Sequence, residues 1–262
     1  MNIKISIVSE IEELKKSQKD WINLFNIGDY SIFQSFEFNY YSWKIELSKN
    51  KKNKLCVLLL KNIDHSVYGI FPLYIDSNNR LRFINDNHAD SCDFLSSKLI
   101  DLSEVFSYLK HHVSFRSVQL INIQNKSHSY NLVTSLHIPY KVIKSVAEYS
   151  VLNIDQGEFP YNVPHYRSHQ KHRLNKALRK NSKKVSRTLN YKDDIFPREE
   201  ILLLREKMIS LGFRKYNFLT NERLLLIESL YNSGLLILHV MTDKDKMNSC
   251  NIILKRSTNK FI

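Results

Sequence analysis

Leu55-Cys56-Val57-Leu58-Leu59-Leu60, then Asp64-His65-Ser66, then Val67-Tyr68-Gly69-Ile70-Phe71-Pro72-Leu73-Tyr74-Ile75 is the stretch on which the fold turns. The first run is continuously apolar and short, as in a strand buried on both faces. The polar triplet supplies turn chemistry, so the two runs read as a hairpin. Pro72 lacks the N–H that a ladder needs, so the second strand is expected to bend or lie at an edge there. Leu81 to Ile84 continues as a third strand.

Helices are expected around this hairpin. Upstream, Ile3 to Val8 alternates as a strand and Glu10 to Phe25 reads as a helix ended by Gly28. Ser35 is the expected N-cap of the next, with Glu37 in its first turn and Phe38, Tyr41 and Ile45 on one face. Downstream, Leu102 to Val113 reads as a helix, and Ser117 to Ile123 and Glu148 to Ile154 as strands. Gly157, Pro160 and Pro164 punctuate a linker, which divides the chain into units 1–155 and 156–262.

In the second unit a basic helix comes first, with Leu174, Ala177, Leu178 and Val185 on one face. Pro197, Glu199, Glu200 and Gly212 frame the next helix. Thr220 caps a third, whose inward residues are Leu224, Ile227, Leu230 and Tyr231 and whose stop is Gly234. Leu235 to Val240 and Asn251 to Lys255 close as a strand pair. The pattern is that of an α/β protein of the α+β type.

The chain has 262 residues, 43% of them hydrophobic and 25% charged, which suits a globule with a substantial core. Its longest apolar run, Leu55 to Leu60, is far below the roughly 20 residues a membrane helix needs. Met1-Asn2-Ile3-Lys4 does not read as a signal peptide. Three widely spaced cysteines, Cys56, Cys92 and Cys250, argue against a disulfide framework or a zinc site and for a cytoplasmic setting. Five glycines cannot build a Walker A loop, a dinucleotide fingerprint or a nucleophile elbow.

Charge is concentrated. The net charge is +13, and the stretch from Phe159 to Lys192 holds ten Lys or Arg with no Asp or Glu. Such a segment points to an anionic partner. Arg173, Lys176, Arg179 and Lys180 are its candidate phosphate contacts, by Arg fork and Lys point charge; a solvated helix face is the simpler alternative. His165, His169 and His172 follow helical spacing, but the surrounding cations disfavour a metal. Asp90 and Asp93, in a turn with His88, are candidate general bases; loop capping competes with that role. Cys92 reads as a small buried residue, and Gln34 and Ser35 as ligand-orienting or capping groups.

The order of Phe33-Gln34-Ser35-Phe36-Glu37-Phe38, Gly69-Ile70-Phe71-Pro72-Leu73-Tyr74, Asp90-Ser91-Cys92-Asp93-Phe94 and the basic run Tyr166 to Lys184 resembles the CelD-like branch of the GNAT acyltransferases, itself similar to the Fem peptidyltransferases. Trp21 and Leu24 fit the family's first helix, and Lys171, Arg173, Arg179 and Lys180 its basic helix. The resemblance implies two tandem GNAT-like sheets flanked by helices, the second stopping early. It implies acyl transfer from acyl-CoA, such as acetyl-CoA, to an amine or hydroxyl acceptor in cell-surface polysaccharide or its precursors, without a metal. The glycine-containing pyrophosphate loop typical of GNAT enzymes is not evident. An aminoacyl-tRNA-dependent Fem-like transferase and a catalytically degenerate binding subunit are the alternatives.

Overall fold

Where backbone polar groups are buried, they must be paired within the chain, and the Leu55–Ile75 hairpin meets that demand in two sheets. The computed structural model describes residues 4–84, 86–125, 127, 129–130, 133, 168–181, 184–243, 246–257 and 260–261. Strand β1 (Lys4–Val8) pairs with β3 (Val57–Lys61), β3 with β4 (Val67–Phe71), and β4 with β7 (Leu95–Ser96), all antiparallel. A second sheet has the order β2 (Lys54–Leu55), β5 (Leu73–Ile75), β6 (Arg80–Phe83), β8 (Ser117–Val118). The expected hairpin is therefore real, with Leu58 opposite Phe71 and Leu60 opposite Gly69. Its arms change sheets at Cys56 and Pro72. There the Cys56 N–H donates to the Leu73 carbonyl at 3.1 Å, and the Pro72 carbonyl accepts from Ile84 at 2.8 Å.

Alternation along β3 serves two cores. Leu58 and Leu60 pack with Phe71, Leu73, Phe83 and Phe94 beneath helix α4 (Leu102–His112). The Phe71 and Phe94 rings stack at 4.0 Å. Val57 and Leu59 face the other way, toward Trp21, Leu24, Phe36 and Trp43. Those side chains come from α2 (Gln18–Ile27), α3 (Phe36–Tyr41) and the turn that follows α3, and Leu14 of α1 (Ile11–Lys16) joins them. The helix expected over Glu10 to Phe25 is thus two helices. They break at Ser17, whose hydroxyl donates back to the Leu14 carbonyl at 2.7 Å.

A third sheet, of order β12 (Lys260–Phe261), β11 (Lys246–Ser257), β10 (Leu236–Asp243), β9 (Val185–Leu189), is antiparallel throughout. Before it runs the basic helix α5 (Ser168–Asn181), and between β9 and β10 lie α6 (Arg198–Ser210) and α7 (Asn221–Asn232). Val185, expected on the basic helix face, instead opens β9 and is exposed. Thr220 caps α7 by accepting from the Arg223 N–H, and Leu224, Ile227, Leu230 and Tyr231 are buried as the spacing requires. Gly234 ends α7 at φ +73°, and a Cβ there would meet the Tyr191 ring at 2.5 Å.

The third core is shared between the two sequence regions. Phe38 and Ile45 pack with Phe196, Leu224, Leu230, Tyr231 and Leu238. After α3 the chain continues as a π-helical turn, Ser42–Glu46, and a 3-10 turn, Leu47–Lys49. Trp43 thereby reaches the core under β3 while Ile45 reaches the third. The architecture is mixed α and β with three sheets among the described residues. The strand expected at Glu148 to Ile154, the linker glycine and prolines, and the 155/156 boundary lie outside the described residues. Of the strand expected over Ser117 to Ile123, Ser117 and Val118 pair parallel to β6, and the Gln119 N–H donates to the Leu81 carbonyl at 2.8 Å.

Candidate functional site

The π-helical turn delivers Glu46 to the place where α7 meets the loop after β6. A cleft of about 290 Å³ opens there, walled by Glu46 and Leu47, by Asn53, by Asn87 and His88, and by Thr220 and Glu222 at the start of α7. Turns of the π type are frequent at functional sites because the extra residue re-aims a side chain. Here the side chain so placed is an acid.

Glu46 sits between two bases. Its Oε2 is 3.6 Å from His88 Nε2, and its Oε1 is 3.5 Å from Arg223 Nε. Burial pushes the Glu46 carboxyl above its usual range; Arg223 pulls it back, and Glu222 pushes it further up. At the rim, Lys49 Nζ lies 2.7 Å from Glu222 Oε1. The hydrogen bond from Lys49, together with the start of its own helix, holds the Glu222 carboxyl down at about 2. The cleft therefore carries one carboxyl kept ionised and another tuned toward the proton, with an imidazole facing the second.

The wall bearing His88 is braced from below. Arg82 forks onto Asp86, with Nε to Oδ2 at 2.9 Å and Nη2 to Oδ1 at 2.8 Å, and Nη2 also donates to Asn87 Oδ1 at 2.8 Å. Asn122, in a left-handed conformation at φ 61°, donates to the carbonyls of Asp86 and Ala89, each at 2.8 Å. Its own carbonyl accepts from the Cys92 N–H at 2.8 Å. The loop is pinned on both sides of His88.

The sequence candidates are distributed differently. Asp90 is exposed and Asp93 is buried, and neither lines the cleft. Asp93 Oδ1 accepts from the Phe94 and Ser129 N–H groups, each at 2.9 Å, and from the Ser129 hydroxyl. These bonds fasten the loop to its own next residue and to Ser129. Gln34 and Ser35 are also internal fastenings. Gln34 Nε2 donates to the Ser91 carbonyl at 2.7 Å, Trp21 Nε1 donates to the Gln34 carbonyl at 2.8 Å, and Ser35 caps α3. The Phe33–Phe38 and Asp90–Phe94 segments are thus tied to each other.

On α5 the side chains of Arg173, Lys176 and Arg179 are exposed, as are His169 and His172. Those of Lys171 and Lys180, and all of His165 and Tyr166, lie outside the described residues. None of the described α5 side chains lines the cleft. Among the described residues no group of His, Cys, Asp or Glu is arranged to hold a metal ion, and no helix is long and apolar enough to cross a membrane.

Cysteine chemistry is suppressed. Burial pushes the Cys56 and Cys92 thiols up to about 12 and the Cys250 thiol up to about 11. In native protein at pH 8 we expect iodoacetamide to leave Cys56 and Cys92 unmodified over an hour-scale incubation, and all three thiols to react in denaturant. Mass spectrometry counts the adducts, and rapid native labelling of Cys92 would restore it as a nucleophile.

Sequence reasoning singled out His88 but missed Glu46, Thr220 and Glu222 as its neighbours. No spacing rule links them, since they meet only through the docking of α7 on the π-helical turn. No protein-family model, curated protein or solved structure matches this chain.

Proposed function

We propose that the chain is an acyltransferase of the GNAT type that moves an acyl group from acyl-CoA to an amine or hydroxyl, with the His88–Glu46 pair receiving the acceptor's proton. The observation that carries this reading is the 3.6 Å approach of His88 Nε2 to Glu46 Oε2 in a cleft. An imidazole backed by a carboxylate is suited to take a proton near neutral pH. The acceptor nitrogen or oxygen attacks the thioester carbonyl as its proton passes to His88. The tetrahedral oxyanion then collapses, the C–S bond breaks, and the leaving thiolate takes up the proton held by the His88 imidazolium. Ionised Glu46 stabilises the imidazolium formed in the first step.

Two further features support the reading. Strand β6, helix α4 and strand β8 form a crossover that ends in a parallel pair. The tandem GNAT architecture that we infer uses a splayed strand to offer backbone N–H groups to an oxyanion. The exposed cations Arg173, Lys176 and Arg179 suit a phosphorylated donor.

The test has two arms. Acetyl-CoA at about 100 times its Kd should raise stability by about 2.7 kcal/mol, which for a chain of this size is roughly a 5–10 °C rise in Tm. Salt-sensitive stabilisation by bulk tRNA alone would favour the Fem-like reading, and stabilisation by neither a binding subunit. In the second arm, thiol release from acetyl-CoA is followed with a panel of amines and amino sugars. His88→Ala should lower kcat by about 10²–10⁴-fold. His88 acts as base only when unprotonated, so activity should fall as pH drops through the imidazole range. Glu46→Gln removes the carboxylate that stabilises the imidazolium, so it should lower kcat and move that acid limb to lower pH. Unchanged turnover in His88→Ala would overturn the proposed base.

A further inference from the structure

The end of α6 and the loop after it carry large apolar side chains exposed to solvent. Leu211 is 57% exposed, Phe213 70% and Tyr216 82%, and Leu203 on the helix is 66% exposed. The backbone beneath them is tied down. Gly212 takes φ +73°, the Phe213 and Arg214 N–H groups both donate to the Met208 carbonyl at 2.9 and 3.2 Å, and Arg205 Nε donates to the Phe218 carbonyl at 2.9 Å. Arg214 stacks its guanidinium 5.1 Å from the Phe218 ring centre. The loop is therefore held from both ends while its aromatic tips point away from the protein. Little backbone entropy is left to lose when those tips are covered.

The charge around the loop is mostly positive. Between Leu203 and Phe218 stand Arg205, Lys207, Arg214 and Lys215 against Glu206 alone, in a chain of net charge +13. Aromatic and aliphatic tips amid cations are the composition that lies in the headgroup layer of a negatively charged bilayer. We propose that the 211–218 loop docks this protein onto an anionic lipid surface, with Phe213 and Tyr216 entering the interface and Arg214 and Lys215 meeting lipid phosphates. Two features favour lipid over single-stranded nucleic acid. Arg214 already covers one face of Phe218, and exposed Leu211 has no face on which a base could stack. A second copy of the chain is disfavoured by the repulsion of two +13 molecules.

Co-sedimentation with vesicles tests this. Wild-type protein should pellet with phosphatidylcholine–phosphatidylglycerol vesicles and not with pure phosphatidylcholine, and salt should weaken the binding. The exposed-site variant Phe213→Ser/Tyr216→Ser should melt like wild type yet bind about tenfold more weakly or worse. Arg214→Glu/Lys215→Glu should lose binding, and Arg173→Glu/Lys176→Glu on α5 should keep most of it. The proposal fails if the aromatic variant binds as wild type does. It also fails if only the α5 variant loses binding. Loss of single-stranded RNA binding by the aromatic variant, without vesicle binding by wild type, would assign the loop to nucleic acid. Wild-type self-association that the aromatic variant abolishes, on sedimentation equilibrium, would assign it to a second copy.

Discussion

Trp21→Ala is expected to lower folding stability by about 4 kcal/mol, within the range for emptying a buried tryptophan site. Trp21 is fully buried between the helical layer and the β3–β4 face. Its ring meets Phe36 edge-on at 5.8 Å, and its Nε1 donates to the Gln34 carbonyl at 2.8 Å. Truncation removes the ring and leaves that carbonyl without its donor, which adds to the cavity cost. Trp21→Phe keeps much of the volume and loses the N–H, so about 1–2 kcal/mol is expected from the unmade bond and the smaller ring. Urea unfolding followed by circular dichroism measures both. A Trp21→Ala cost below about 1 kcal/mol would mean that the site collapses around the loss, against the usual behaviour of packed cores. Because the Gln34 amide holds the Ser91 carbonyl, Trp21→Ala should also loosen the loop that carries His88, and amide exchange at residues 86–92 should speed up.

What the sequence made legible was local. Ser35, Thr220, Gly212 and Gly234 act within four residues of the helix ends they were expected to mark. The hairpin was legible because an apolar run on each side of a polar turn has few other ways to bury itself. Phe38, Tyr41 and Ile45 do share the third core, although a π-helical turn intervenes. The break at Ser17 was hidden because Leu14, Trp21 and Leu24 keep an apolar pattern through it and all three are buried. The cleft was hidden for a stronger reason. Glu46, His88 and Glu222 belong to three separate elements, and periodicity reports only which face of its own element a residue occupies. A carboxylate such as Asp93 in a turn after a strand suits base and cap alike. Its bond to Ser129 was hidden because Ser129 is 36 residues away.

Asp86→Ala should be as damaging as the tryptophan change, at about 3–5 kcal/mol, because it takes the carboxylate fork from a largely buried cation. Asp86 is 1% exposed, and the Arg82 side chain that forks onto it is 11% exposed. Burial pushes the Asp86 carboxyl up and the Arg82 fork opposes that shift, while the carboxylates around Arg82 keep its guanidinium charged against the same burial. Asp76 stands 3.6 Å from Arg82, but it is engaged by Arg80 at 2.7 Å and cannot replace the fork. Arg82→Met/Asp86→Leu removes both charges and fills the space with apolar atoms, so it should recover most of the loss, to within about 1–2 kcal/mol of wild type. The double variant then separates stability from function. It folds, but Asn87 has lost the Arg82 bond and the His88 wall has lost its brace. If the proposed chemistry depends on that brace, thiol release by the double variant should stay at least about tenfold below wild type, since small misplacements of a catalytic group are costly. Full recovery of turnover would show that Asn122 alone holds the loop in register. Failure of the double variant to recover stability would mean that the Arg82–Asp86 fork stabilises the fold beyond satisfying its own charges.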